Sequence, residues 1–294
     1  MTTGNAGGDG FRPRPVPPPE TAKGLLRPRE QLRASNLGRL AAGPRVSGYV
    51  EWYWSVNWDR RGMPPYYAEV LPYPSVNLTF EDCHERTGGF VTGVWTKKYV
   101  RELAEVGETF GAKFLPGGFG AFTGLDVGSL RDTSVPMAEV FPESAFPEVE
   151  GLSESVLAAA DSEQRRTLVE DFLSAAAKRL DLTEDPAYRQ VLEIVAAMES
   201  HRELTRVDQV TDLFGIPVRT LQRVFRRYVG AGPKWVLRRY RLQDGAHLLA
   251  EGRTSDLAAL ALELGYFDQA HFSREFAQEI GMAPLEYART SLLS

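Results

Sequence analysis

The stretch that decides the fold of the C-terminal third is Gly215-Ile216-Pro217-Val218-Arg219-Thr220-Leu221-Gln222-Arg223-Val224-Phe225-Arg226-Arg227-Tyr228. Gly215 and Pro217 mark a tight turn. Before it, Val207 to Phe214 reads as a short helix with Val210, Leu213 and Phe214 apolar. After it, a second helix runs from about Val218 to Tyr228. In that helix Leu221, Val224, Phe225 and Tyr228 fall at i, i+3, i+4 and i+7 and face a core. Arg219, Gln222, Arg223 and Arg226 are left outward on one stripe. Helix, Gly-containing turn, helix is the arrangement whose second helix enters the DNA major groove. Arg and Gln make paired hydrogen bonds to guanine and adenine edges, each pair giving about 1–3 kcal/mol of discrimination.

The same pattern recurs nearer the C-terminus. Ser255 is placed to cap a helix through Leu264, Gly265 turns the chain, and a further helix runs from about Asp268 to Ile280. Charge supports the reading. The net charge is −5, yet Arg219, Arg223, Arg226, Arg227, Lys234, Arg238, Arg239 and Arg241 stand in one window without an Asp or Glu. Such an asymmetry is what a phosphate-facing surface requires. Helix N-termini near Thr205 and Ser255 offer backbone N–H groups to phosphates as well.

These stretches resemble the AraC/XylS family DNA-binding domain. The resemblance rests on Gly215 to Tyr228, Gly230, Pro233 and Arg241-Leu242 in the first half. In the second it rests on Leu257-Ala258, Leu264-Gly265-Tyr266-Phe267-Asp268-Gln269-Ala270-His271-Phe272-Ser273-Arg274-Glu275-Phe276, Gly281, Pro284 and Tyr287. It implies about seven helices, with two helix-turn-helix units bridged by one long helix (here about Pro233 to Ala250). Recognition helices would then enter adjacent major grooves ~34 Å apart on double-stranded DNA. By motif position the base-contacting residues fall on Arg219, Gln222 and Arg223, and on Gln269, Ala270, Ser273 and Arg274, with Arg226 and Lys234 as further DNA contacts. The second unit departs from the pattern. Ala277, Gln278 and Glu279 follow Phe276, where a basic residue is common, and Ala270 offers only a methyl group. The first unit is therefore expected to dominate affinity.

Upstream, the text from Val46 to about Asp126 reads as strands. Val50, Trp52, Trp54 and Val56 alternate onto one face, and Val76 to Phe80, Phe90 to Trp95 and Thr109 to Phe114 follow. An antiparallel barrel or sandwich is the expectation. Helices are expected over Ser153 to Ala160 and Ser162 to Leu180, and a linker over Asp181 to Pro186. Tyr49 to Trp54, Leu71 to Phe80, Thr92-Gly93-Val94 and Gly111 to Gly118 resemble the β-rich domain of uncharacterised function that precedes this DNA-binding domain in many regulators. That resemblance implies effector sensing, self-association, or both. Trp52, Trp54, Tyr73 and Trp95 are the effector candidates, because aromatic rings supply an apolar wall with polar handles. Lys97, Lys98 and Lys113 are candidates to meet an anionic effector.

The fold class expected is thus α+β. A Pro/Gly-rich tail over residues 1–24 precedes a β-rich sensory or dimerisation domain over 25–180, and a DNA-binding domain spans 187–294. At 294 residues the chain exceeds the usual single-domain size, and its 43% apolar content is ample for real cores. No signal-peptide pattern and no membrane-length apolar run occurs, so a cytoplasmic location is expected. One cysteine, Cys83, excludes an internal disulfide and a Cys-rich zinc site, and neither a metal nor a cofactor is expected. The overall expectation is a transcription regulator, an activator working with RNA polymerase and forming a homodimer, rather than an enzyme. Two alternatives stay open: a fused enzyme or repair-type regulator, for which Cys83-His84 is the thin support, and a protein-binding module without DNA contact.

Overall fold

A computed structural model describes residues 23–254 and 256–293, so nearly all of the Pro/Gly-rich tail and Ser255 lie outside the described residues. The chain opens with helix α1 (Pro28–Ala34) and strands β1 (Asn36–Ala41), β2 (Val50–Asp59), β3 (Tyr66–Val70), β4 (Asn77–Asp82), β5 (Thr87–Thr92), β6 (Tyr99–Leu103) and β7 (Val106–Phe114). Helix α2 (Gly118–Thr123), strand β8 (Ser134–Pro136) and helices α3 (Met137–Val140), α4 (Leu152–Ala158) and α5 (Ser162–Arg179) complete the N-terminal part. Seven helices follow: α6 (Pro186–Ser200), α7 (Val207–Phe214), α8 (Val218–Val224), α9 (Pro233–Ala250), α10 (Leu257–Glu263), α11 (Gln269–Ile280) and α12 (Pro284–Leu293). The α+β class and the order of its parts are as the sequence predicts.

The β-rich part is not a closed barrel. Six antiparallel strands form an open sheet in the order β1-β2-β7-β4-β5-β8, and β3 and β6 pair separately as a ribbon. The period of two along each strand gives the sheet two different faces. Tyr53, Leu78, Phe80, Phe110, Ala112 and Phe114 point to one side, where Phe119, Phe122, Phe141, Phe172 and Leu173 from α2 to α5 cover them. Trp52, Trp54, Thr79, Glu81, Thr109 and Lys113 point to the other, toward the ribbon, and line a cavity there. Helices close one face and a ribbon only partly closes the other, which is why the strands need not curl into a barrel.

One strand boundary, and the visibility of three strands, differ from the reading of the sequence for local reasons. Strand β5 ends at Thr92 and not at Trp95. A Cβ at Gly93 would collide with the carbonyl oxygen of Leu130, so the chain turns off the sheet where only glycine fits. Strands β1, β3 and β6 carry charged or exposed residues at Arg39, Glu69, Arg101 and Glu102, which hides their alternation.

The C-terminal helices enclose two cores. One gathers Val191, Ile194, Val210, Leu221, Phe225, Val236 and Tyr240; the other gathers Leu242, Leu249, Leu260, Phe272, Phe276 and Tyr287. Helix α9 contributes to both. Leu26 and Leu71 from the N-terminal part enter the second core, and Tyr188 of α6 donates to the Gly48 carbonyl at 2.8 Å. Phe110 sits fully buried at the centre of the sheet, stacked on Tyr53 at 5.8 Å. Phe110→Ala is expected to cost about 3–5 kcal/mol of stability, seen as a lower denaturation midpoint in urea at unchanged slope.

Candidate nucleic-acid interface

The first unit is built by α7, a turn and α8. Gln209 Oε1 accepts from the backbone N–H groups of Thr205 and Arg206 at 3.0 and 2.9 Å, closing the start of α7. Gly215 ends α7 at φ 60°, a left-handed conformation that glycine adopts without penalty. Pro217 then precedes the first turn of α8. Leu221, Val224, Phe225 and Tyr228 are all buried, as their spacing predicts, and Arg219, Gln222, Arg223 and Arg226 are exposed. Beyond Val224 the helix widens into one π turn over Phe225–Val229, stopped by Gly230 at φ 80°. Tyr228 anchors this turn by donating to Asp185 Oδ2 at 2.7 Å.

The second unit repeats the plan with α10, Gly265 at φ 72°, and α11. The expected cap Ser255 lies outside the described residues; Asp256 caps α10, accepting from Ala258 and Ala259 N–H at 2.9 and 3.0 Å. Those N–H groups are therefore occupied by a carboxylate, and this helix start is not open to a phosphate. Thr205 and Arg206 N–H are likewise taken by Gln209. Asp268 caps α11 through His271 N–H at 2.6 Å. Phe272, Phe276 and Ile280 are buried, while Gln269, Ala270 and Arg274 are exposed and Ser273 is half-buried.

The basic window does not form one surface. Arg219, Arg223, Arg227 and Lys234 are exposed, and among the described residues none of them has an ion pair. Arg226 is exposed too, with Asp126 at 3.6 Å. The other three serve the fold. Arg239 is buried, donates to the Thr96 carbonyl at 2.7 Å and lies 3.5 Å from Glu279 Oε2. Burial pushes its guanidinium down to about 10, so it remains a cation at neutral pH. Arg238 pairs with Glu279. Arg241 covers the Tyr266 ring at 4.6 Å. A helix of 18 residues turns its cations to several sides, and a charge run read along the chain cannot separate them. Glu279, which the sequence places as a misfit in the second unit, is thereby an internal counter-ion.

Trp52, Trp54, Tyr73 and Trp95 all line one cavity of about 240 Å³ between the six-stranded sheet and the β3–β6 ribbon. Of the three candidate lysines, Lys113 is buried there. It pairs with Glu51 and lies 3.9 Å from the Trp52 ring and 4.4 Å from the Tyr73 ring. Burial pushes the Lys113 ammonium down, and Glu51 works against that. Lys98 is at the domain junction, holding Glu69 at 2.5 Å and the Ile280 carbonyl at 2.9 Å, and Lys97 is exposed. Cys83 Sγ accepts from Arg101 Nη2 at 2.9 Å. Among the described residues no three His, Cys, Asp or Glu side chains gather as a metal site, and no helix is long and apolar enough to cross a membrane.

Residues 210–290 match the family model described as a helix-turn-helix domain, and residues 39–136 match one described as a domain of unknown function, DUF6597. The C-terminal part is an AraC-type helix-turn-helix domain. An uncharacterized HTH-type transcriptional regulator of Haemophilus influenzae is 29% identical over 97 residues, covering 33% of this chain and 32% of that protein. The HTH-type transcriptional activator RhaS of Escherichia fergusonii is 33% identical over 94 residues, covering 32% and 34%. The match thus spans about a third of the length of these curated relatives. Among solved structures, ToxT of Vibrio cholerae aligns with a TM-score of 0.40 and 11% identity over 87% of this chain and 96% of that one. The AraC-like activator CuxR aligns at 0.25 and 13%, over 74% and 89%.

The split of the basic window has a direct consequence for stability. Arg239→Ala empties a buried site, leaves Glu279 with Arg238 alone and the Thr96 carbonyl with Trp235 alone, and is expected to cost about 1–3 kcal/mol. Arg223→Ala touches nothing in the fold and is expected to stay within about 0.5 kcal/mol of wild type. Thermal unfolding of the two variants side by side checks the contrast.

Proposed function

We propose that the protein is a sequence-specific DNA-binding transcription regulator that reads its site with two recognition helices, α8 and the N-terminal half of α11. The observation that carries this is the exposed row Arg219, Gln222 and Arg223 on a helix whose opposite side, Leu221, Val224 and Phe225, is wholly buried. Side chains that match guanine and adenine edges stand free of internal partners among the described residues, on the element that enters the major groove. Gln269, Ala270, Ser273 and Arg274 read the second groove, with Ala270 limited to an apolar contact. Arg226 and Lys234 contact phosphates and supply affinity that falls with salt.

Regulation enters through the N-terminal part. A small effector binds among Trp52, Trp54, Tyr73 and Trp95 and shifts an existing equilibrium of domain arrangement or self-association. The matched relative RhaS is called an activator; we assign the same sense here, with RNA polymerase as the partner and a homodimer formed through the N-terminal part or α5. The domain limits that go with this reading are residues 25–180 for sensing and 187–294 for DNA.

Selection from a random duplex library, followed by affinity against salt, tests the reading. Enrichment of a site with two boxes about one helical turn apart is expected. No enrichment and no salt-dependent binding sinks it. On the enriched duplex, Arg223→Ala is expected to weaken binding by about 1–3 kcal/mol and to relax preference at one base pair. Arg274→Ala should cost less; a larger loss there reverses the ranking of the two units. Lys234→Ala is expected to reduce the salt slope by about 1 with little change in sequence preference.

A further inference from the structure

Three hydrogen bonds join the cavity wall to α9. In each the donor is a side chain of α9 and the acceptor is a backbone carbonyl at the edge of a cavity-lining segment. The carbonyl of Thr96, directly after the lining residue Trp95, accepts from Trp235 Nε1 at 3.1 Å and from Arg239 Nη2 at 2.7 Å. The carbonyl of Leu71, directly before the lining residues Pro72 and Tyr73, accepts from Gln243 Nε2 at 2.7 Å. Trp235, Arg239 and Gln243 are spaced by four, so they follow one face of the helix. Arg239 and Gln243 are buried, where a lost hydrogen bond is not replaced by water.

Helix α9 is also the element that both helix-turn-helix units share. Its Val236, Leu237 and Tyr240 pack with Leu221 and Phe225 of the first unit, and its Leu242, Ala246 and Leu249 pack with Phe272 and Phe276 of the second. A shift of the segments around Trp95 or Tyr73 must either carry α9 with it or break buried hydrogen bonds. Moving α9 changes how the two recognition helices stand to each other.

The wall states what the cavity takes. Its charged groups already have partners: Lys113 has Glu51, Lys23 has Asp244 at 2.8 Å, Arg101 has Glu81 at 2.9 Å, and Arg39 lies over the Trp52 ring at 5.7 Å within the field of Glu51. Two buried polar atoms there have no partner, Gln31 Oε1 and Ser75 Oγ. Gln31 Oε1 can only accept, so it asks for an N–H or O–H donor. Trp52, Trp54 and Tyr73 supply flat apolar walls.

We propose that this cavity binds a small, neutral, flat molecule that is largely apolar and carries an N–H or O–H donor, and that its binding is coupled to DNA binding through the Trp235, Arg239 and Gln243 hydrogen bonds. The coupling rests on the DNA-binding reading above; the ligand class does not.

Indole, which is neutral, flat and has one N–H, is the probe, with naphthalene and indole-3-carboxylate as comparators. Calorimetric titration of the full chain gives each affinity with and without the duplex enriched from the library. Saturable indole binding is expected, tighter than either comparator, and changed by at least about fivefold when DNA is present. In Trp235→Phe/Gln243→Met, which removes two donors at similar volume, indole still binds, but the DNA effect falls below about twofold. Gln243→Met alone, expected to lie between, serves if the double variant does not fold. No indole binding, or a comparator that binds as tightly, overturns the ligand class. Equal indole affinity with and without DNA overturns the coupling, and undiminished coupling in the variants overturns its route. A chain that binds indole but no DNA overturns the regulator reading and the coupling with it, while the ligand class stands.

Discussion

The arrangement of this molecule depends on keeping one guanidinium charged out of water. Arg239 sits in the middle of α9, almost without solvent contact, between the Thr96 carbonyl, the Glu279 carboxylate and the Trp235 ring at 4.7 Å. A buried cation is tolerated only where its donors and its charge are met together. Meeting the charge and the Nη2 donors here requires a turn of the N-terminal part, the end of α11 and the start of α9 to be in place at once. That requirement fixes where the β-rich part sits on the helical part more sharply than apolar contact does, because hydrophobic burial has no direction.

Around that point the junction is built from backbone acceptors on one side and side-chain donors on the other. Thr96, Leu71, Gly48 and Ile280 offer carbonyls, and Arg239, Trp235, Gln243, Tyr188 and Lys98 reach them. Carbonyls at strand and helix ends are the groups left over once regular structure has used its own hydrogen bonds. The π turn that ends α8 is held in the same manner. Gly230 passes its carbonyl to Arg131 Nε at 2.8 Å, and Gly120 and Gly128 allow the N-terminal part to approach Arg226 and Tyr228 closely. Arg219, Gln222 and Arg223 of α8 and Gln269, Ala270 and Arg274 of α11 are left outside this junction, exposed on their own helix faces.

The two faces of the sheet divide the labour of the N-terminal part. The helix-covered face is phenylalanine-rich and tightly packed, with Phe114, Phe119, Phe141 and Phe172 in edge-to-face contacts near 5 Å. The ribbon-covered face keeps Thr79, Glu81 and Lys113 beside tryptophans. There burial opposes the Glu81 carboxylate, but Arg86 and Arg101 outweigh it and hold its pKa below the usual range. A face that must pair each charge internally cannot close as densely as an all-apolar one, and the cavity lies on that side.

By itself the sequence determined the elements whose signal is local. The i, i+3, i+4, i+7 row from Leu221 to Tyr228 and the turn glycines Gly215 and Gly265 follow from spacing and backbone chemistry, which act within a few residues, while the extent of α9 was legible only through the family resemblance. The aromatic set Trp52, Trp54, Tyr73 and Trp95 was legible as material for an apolar pocket, although not where in the sheet that pocket lies. Only the tertiary structure decided which of eight neighbouring cations face outward, because Arg223 and Arg239 look alike until Glu279 and Thr96 arrive from far along the chain. It also decided that the sheet stays open. Closure depends on what covers each face, and the polar strands β3 and β6 that cover one face have too weak an alternation to be seen before they are paired.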